Sequence, residues 1–238
     1  RKKNQGMGTS MSPMANTMKK KILLWGWHAV CAAIQNPQRK IQKILVCPDK
    51  RHCIPSHIPS SIVSPQEIAR IVPPQTVHQG IVAFVDPLPC AHMDNLCPSK
   101  GNLLVIDHIT DTHNVGALWR SAAAFQTQAI ILAVDHSPSL SGTLAKNACG
   151  ALEHTPHIFV KNLARTLDIL KKKGFFVVGL SEKGSQTLQS TQLDAVALVV
   201  GSEDKGIRPL VQKKCDILVK ISTSPLFQTL NASVAGAI

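Results

Sequence analysis

Three short stretches of this 238-residue chain combine residue types that can bind a small polar molecule and act on it. The first runs from Asp107 to Arg120 (D-H-I-T-D-T-H-N-V-G-A-L-W-R). Asn114 and Arg120 stand near the expected start of a helix, where an amide and a guanidinium can be presented to one phosphate or ribose. The same residues also suit plainer work, Asn114 as a helix cap and Arg120 as half of a surface ion pair. The second stretch, Val199 to Ile207 (V-V-G-S-E-D-K-G-I), leads a strand through Gly201 to an acid, Glu203, and then to Gly206. Glycine at 201 lets a cofactor come close to the backbone. An ordinary strand-to-helix turn with a carboxylate at the helix start explains the pattern equally well. The third stretch contains Thr229, Leu230, Asn231 and Ser233 and opens a run of small residues, Ala232, Ala235, Gly236 and Ala237. That run permits close helix packing, and Asn231 and Ser233 serve either as caps or as site residues.

The elements that must position these stretches are legible from hydrophobic patterning. From Asn102 onward, short apolar runs alternate with helical segments. The strands are expected at Leu103–Ile106, Ala129–Val134, Phe175–Gly179, Ala195–Val200 and Ile217–Ile221. Between them, helices are expected at Asn114–Phe125, Leu140–Ala151, Leu163–Lys172 and Arg208–Lys214. Continuous apolar strands of this kind imply an α/β domain with a parallel sheet covered on both faces. Ligands of such sheets bind beyond the carboxyl ends of the strands, which is where all three stretches fall. Ahead of this domain, residues 22–86 read as a smaller α/β unit, with helices at Gly26–Asn36 and Glu67–Val72 and strands at Ile41–Cys47 and Gly80–Val85. Residues 87–101, with three prolines and a glycine, read as a linker. Residues 1–21 read as a disordered basic tail.

Composition narrows the function classes. The chain carries 26 basic and 14 acidic residues, a net charge of +12. Five of those basic residues, and no acid, lie in the first twenty positions. A polyanionic partner such as nucleic acid fits this balance, although a solvated surface would show it too. Aromatic residues make up only 4% and tyrosine is absent, which argues against a row of base-stacking platforms. Seven cysteines form no C-x-x-C pair, and His52–Cys53 and Cys90–His92 lack a matching second half, so no metal site is expected. An odd thiol count without a framework suits a reducing cytoplasm. No apolar run approaches the roughly 18 residues of a membrane helix, and no secretory h-region precedes Trp25. No G-x-G-x-x-G or Walker-type loop occurs, so a nucleotide-like cofactor would need a site built without a phosphate cradle. His28, His78 and His113 read as loop or capping histidines, with general-base chemistry as the alternative.

In this order, the three stretches resemble motifs 1, 2 and 3 of the SpoU (TrmH) RNA methyltransferases. Lys146–Glu153 (K-N-A-C-G-A-L-E) and Asn162–Thr166 are similar to the branch that methylates a guanosine in large-subunit (23S) ribosomal RNA. Gly26–Val30 and Val77–Ile81 resemble the edges of that branch's RNA-binding domain, which is like ribosomal protein L30e. The resemblance implies a Rossmann-like domain (102–238) with a C-terminal trefoil knot, S-adenosylmethionine as cofactor, and a homodimer. It implies methyl transfer to a ribose 2′-hydroxyl, with Arg120 as the central catalytic residue and Asn114, Glu203, Thr229 and Asn231 around it. Gly201, Ile221 and Leu230 would hold the cofactor. Since a guanidinium stays protonated, Arg120 is read as a phosphate and oxyanion clamp rather than a base, with Glu203 holding Arg120 or Asn231. Three other readings stand beside this one. They are a tRNA methyltransferase of the same family, an inactive RNA-binding or ribosome-assembly factor, and a plain nucleotide-binding α/β protein. The chain departs from the family pattern at Thr112, where a proline is usual, and at Ser222, Thr223, Pro225 and Thr229 of motif 3.

Overall fold

The computed structural model describes residues 21–187, 194–224 and 230–238. The expected tail therefore lies outside the described residues except for Lys21, as do Pro225 and Thr229.

Chain order begins with β1 (Ile22–Trp25), α1 (Trp27–Gln35), β2 (Ile41–Val46), β3 (Ser60–Ile62), α2 (Pro65–Ala69) and β4 (Ile81–Val85). These strands make a four-stranded sheet in the order β1-β4-β2-β3. Helix α1 lays Ala29, Val30 and Ala33 into the core, and Ile34, on the face that Val30 and Ala33 share, packs partly buried against it. Helix α2 starts two residues before the expected position because Ser64 and Glu67 close a reciprocal capping box ahead of Pro65.

The second sheet follows as β5 (Leu103–Asp107), α3 (Thr112–Ala124), β6 (Ala129–Ala133), α4 (Gly142–Asn147), β7 (His157–Val160), α5 (Leu163–Lys172), β8 (Phe176–Leu180), β9 (Gln186–Thr187), β10 (Val196–Gly201), α6 (Pro209–Gln212), β11 (Ile217–Lys220) and α7 (Ala232–Ala235). Its seven strands are ordered β7-β6-β5-β10-β8-β11-β9, and every registered pair is parallel. The chain moves outward from β5 through β6 to β7, then crosses back and builds on the other side. The reversal falls between β5 and β10, where helices leave in opposite directions and a crevice opens at the carboxyl ends.

Two helices depart from their expected form. Leu140–Ala151 is broken, because Cys149 and Gly150 take positive φ and a short 3-10 turn, Ala151–Glu153, follows α4. Arg208–Lys214 contracts to one turn of helix.

The broken segment joins the two sheets. Gly142 lies so close to β1 that a side-chain carbon there would sit 2.1 Å from the Leu23 carbonyl oxygen. Further along the segment, the Glu153 carboxylate accepts hydrogen bonds from the Arg39 guanidinium and from Asn36 Nδ2. The Arg39 and Glu153 side chains are 3% and 2% exposed. One apolar cluster runs through both sheets, from Leu24, Val30 and Ile44 to Ile106, Trp119 and Leu144. Burying each such side chain contributes roughly 2–3 kcal/mol.

Candidate active site

The site grows from the ends of β5 and β10, where Asp107 and Gly201 are register partners. Asp107 is completely buried. Its carboxylate accepts from the Arg208 backbone N–H at 2.8 Å and Nε at 2.8 Å, with a further guanidinium contact at 2.7 Å. An unpaired carboxylate there would cost several kcal/mol, so Arg208 is required by the fold and ties down the loop after β10. Within that loop Ser202 and Gly206 bridge, the Gly206 N–H donating to the Ser202 carbonyl at 2.8 Å. A side-chain carbon on Gly201 would lie 2.1 Å from the Gly206 carbonyl carbon. What passes close to Gly201 is therefore the chain's own return, and this alone demands glycine at the position.

The doubled-back loop presents Glu203 to α3 and α7. Glu203 Oε1 accepts from Asn114 Nδ2 at 2.8 Å, from Asn231 Nδ2, and from the Ala232 backbone N–H at 3.3 Å. Asn231 also donates to Asn114 Oδ1 at 2.9 Å. Three residues drawn from the three motifs thus close into one network. Asn231 caps α7, its Oδ1 accepting from the Ser233 N–H at 2.9 Å. Asn114 does not cap α3. Asp111 does so instead, accepting from the His113 N–H at 3.0 Å, and α3 starts at Thr112. The expected cap falls three residues too far along the chain, and the amide of Asn114 is left for the network.

Arg120 stands apart from it. Six residues along a helix displace a side chain by about 9 Å and turn it by about 120°. Arg120 is exposed, and among the described residues it makes no hydrogen bond or ion pair. Asn114 and Arg120 consequently point in different directions from α3, and Glu203 bonds Asn231 and Asn114 rather than Arg120. Thr229 falls outside the described residues.

Beside the network lies a cavity of about 320 Å3. It is lined by Leu180, Val200, Gly201, Glu203, Gly206, Ile221, Leu230 and Ala232, with Glu182 and Lys183 at its polar side. All three residues expected to hold a cofactor are in this wall. Sequence reasoning missed Asp107 and Arg208, and it also missed a histidine pair. His108 and His136 stack with ring centroids 4.2 Å apart, both at positive φ. Burial, and then the charge of Arg208, hold His108 below the ordinary imidazole range. Among the described residues, no group of three or more His, Cys, Asp or Glu is placed to hold a metal ion. No helix among them is long and apolar enough to cross a membrane.

Residues 101–238 match the SpoU rRNA Methylase family. The chain belongs to this family. Residues 23–90 match a second family, described as RNA 2′-O ribose methyltransferase substrate binding. Among curated SpoU-type relatives, the 23S rRNA (guanosine-2′-O-)-methyltransferase RlmB of Ralstonia nicotianae is 35% identical over 234 residues, covering 93% of this chain and 94% of its own. RlmB of Blochmanniella floridana is 43% identical over 172 residues, covering 69% of this chain and 68% of its own. Among solved structures, the SpoU methyltransferase AviRb of Streptomyces viridochromogenes, in complex with the cofactor AdoMet, superposes with a TM-score of 0.77 at 18% identity. That match covers 91% of this chain and 86% of AviRb.

The cavity fits S-adenosylmethionine on its own chemistry. Leu180, Val200, Ile221 and Leu230 give apolar surface for a purine, and Lys183, Glu182 and Glu203 give charge for an amino-acid moiety and a cationic centre. The cofactor has no phosphate, so the missing glycine-rich phosphate cradle is no obstacle.

Proposed function

We propose that this chain transfers the methyl group of S-adenosylmethionine to the ribose 2′-hydroxyl of a guanosine in 23S rRNA. The observation that carries this reading is the Asn114–Glu203–Asn231 network beside the cavity, at the switch point of a SpoU-family sheet. The bound cofactor supplies an activated methyl on a cationic sulfur. A ribose hydroxyl is barely acidic at neutral pH, so the chain's task is alignment and stabilisation of developing oxyanion charge. Asn114 and Asn231 hold one another and Glu203 in a fixed geometry, and Glu203 places negative charge beside the cavity. Arg120, unengaged on the neighbouring helix face, clamps a substrate phosphate or the developing oxyanion. The proton leaves through that phosphate or through water.

Several further features belong to this proposal. Residues 22–86 form an L30e-like RNA-binding unit, 87–101 its linker and 102–238 the catalytic unit, whose C-terminal part is threaded as a trefoil knot. The protein works in the cytoplasm without a metal, as a homodimer. In support of the dimer, Phe125 (71% exposed) and Ile238 line an apolar hollow of about 280 Å3 together with Leu104, Val178, Leu198 and Val219 of the sheet, and Val234 is exposed on α7.

The test is transfer of tritiated methyl from S-adenosylmethionine to unmodified 23S rRNA, 16S rRNA and bulk tRNA, with the label mapped by nuclease digestion. Label at one guanosine 2′-oxygen of 23S rRNA is expected. Label in tRNA alone would overturn the substrate. No label, together with no cofactor binding, would leave an RNA-binding factor.

A further inference from the structure

The Lys146–Glu153 segment has one side chain that neither the catalytic network nor the junction between the sheets employs. Lys146 lies half-buried in the last turn of α4, and among the described residues its ammonium has no acidic partner. Its stem lies along Gly26, where a side-chain carbon would be 3.6 Å from Lys146 Cγ and 3.3 Å from Gln79 Oε1. That oxygen already accepts from the Trp27 N–H at 2.8 Å, which fixes the Gln79 side chain and leaves its amide hydrogens available. Gln79 and Gly80 both take positive φ in an exposed loop, with Val77 65% exposed beside them. On the loop's far side, Lys50 Nζ lies 3.6 Å from the position a side-chain carbon would take on Gly80. Toward the catalytic centre, the residue after Lys146 is Asn147, whose Nδ2 donates to Thr112 Oγ1 at 3.2 Å, two positions before Asn114. Gln79 and Lys146 therefore stand side by side at Gly26, and Asn147 ties the end of α4 to the start of α3, while Lys50 on the far side is already paired with Asp49 at 2.6 Å.

We infer that Lys146, with the Gln79 amide, is a positioning site for the RNA backbone, gripping a phosphate of the strand that carries the methylated nucleotide and fixing its register between the two sheets. The inference rests on the RNA substrate reading above. A long cation with a packed stem and an unpaired head suits a phosphate, since ion pairing there releases condensed counterions. The net charge of +12 favours a long polyanion over a short acidic peptide as the occupant.

The experiment measures binding of a 23S rRNA fragment by anisotropy from about 50 to 200 mM salt, for wild type, Lys146→Gln and Lys146→Arg. S-adenosylmethionine affinity and methylation are measured alongside. For Lys146→Gln, RNA affinity is expected to fall roughly fivefold and the log–log salt slope to become shallower by about one. KM for RNA should rise while cofactor affinity holds, and Lys146→Arg should restore the slope. An unchanged slope and KM in Lys146→Gln, with wild type methylating the fragment normally, overturns the role of Lys146. Wild type that binds RNA but transfers no methyl overturns the methylation reading instead, and the slope comparison still decides Lys146.

Discussion

Two glutamates in this molecule each accept a hydrogen bond from an asparagine amide, yet their surroundings differ. Glu153 is sealed at the junction of the two sheets, and its other partner is the Arg39 guanidinium. Glu203 is exposed at the edge of the cavity, and its partners are two amides and one backbone N–H. A carboxylate paired with a guanidinium in a dry interior is a fastener, its charge spent on its partner. One held only by neutral donors is oriented but keeps uncompensated charge. Such a group can act on a cationic ligand, and it costs the fold little to lose.

The comparison breaks most sharply at Glu153. Glu153→Ala leaves Arg39 buried without a counter-charge and is expected to cost about 3–5 kcal/mol in chemical denaturation. A loss below about 1 kcal/mol would mean that the junction is not the fastener described.

Acid probes the same region next. His157 is buried, with Trp119 and Phe159 beside it. Desolvation, and then the charge of Arg39, lower its imidazole from 6.5 to about 4. The unfolded chain takes up this proton near pH 6.5 while the folded chain refuses it until about pH 4. Stability from this group is thus fully present above pH 6.5 and declines between 6.5 and 4, by roughly 3 kcal/mol in all. His157→Gln should flatten that part of the pH–stability curve. An unchanged curve would show that another group sets it.

Glu203→Gln gives the third and smallest effect in free energy. Turnover should drop about 100-fold, close to 2.7 kcal/mol, with the unfolding midpoint nearly unmoved. A large loss of stability with turnover intact would make Glu203 a second fastener and dissolve the contrast.

Much of the larger sheet was legible because its strands are short unbroken apolar runs with few alternative uses. Helix α5 fell on its expected residues for a related reason, its apolar stripe and Asn162 cap both being local. Strand β7 was not seen, since four residues after Pro156 are too few to show a period. The break at Cys149 and Gly150 depends on backbone angles that no apolar pattern reports. At the site, the residues around Asn114, Glu203 and Asn231 could be named, but their mutual bonds span 28 to 117 positions and arise only on folding. The same distance hid Asp107–Arg208, 101 positions apart, and Arg39–Glu153, 114 apart. The separate orientation of Arg120 was computable from helical rotation alone.

The close seat of Gly142 against β1 bears on how this architecture can be recombined. Any bulkier residue there would collide with the Leu23 carbonyl and the Trp25 ring. A chimaera that exchanges residues 22–86 for those of a distant relative would thus inherit a mismatched seam unless Gly142 and Glu153 travelled with the graft. The unit that can be grafted is not one contiguous piece of chain. It is that piece together with the few residues, more than fifty positions downstream, on which it sits.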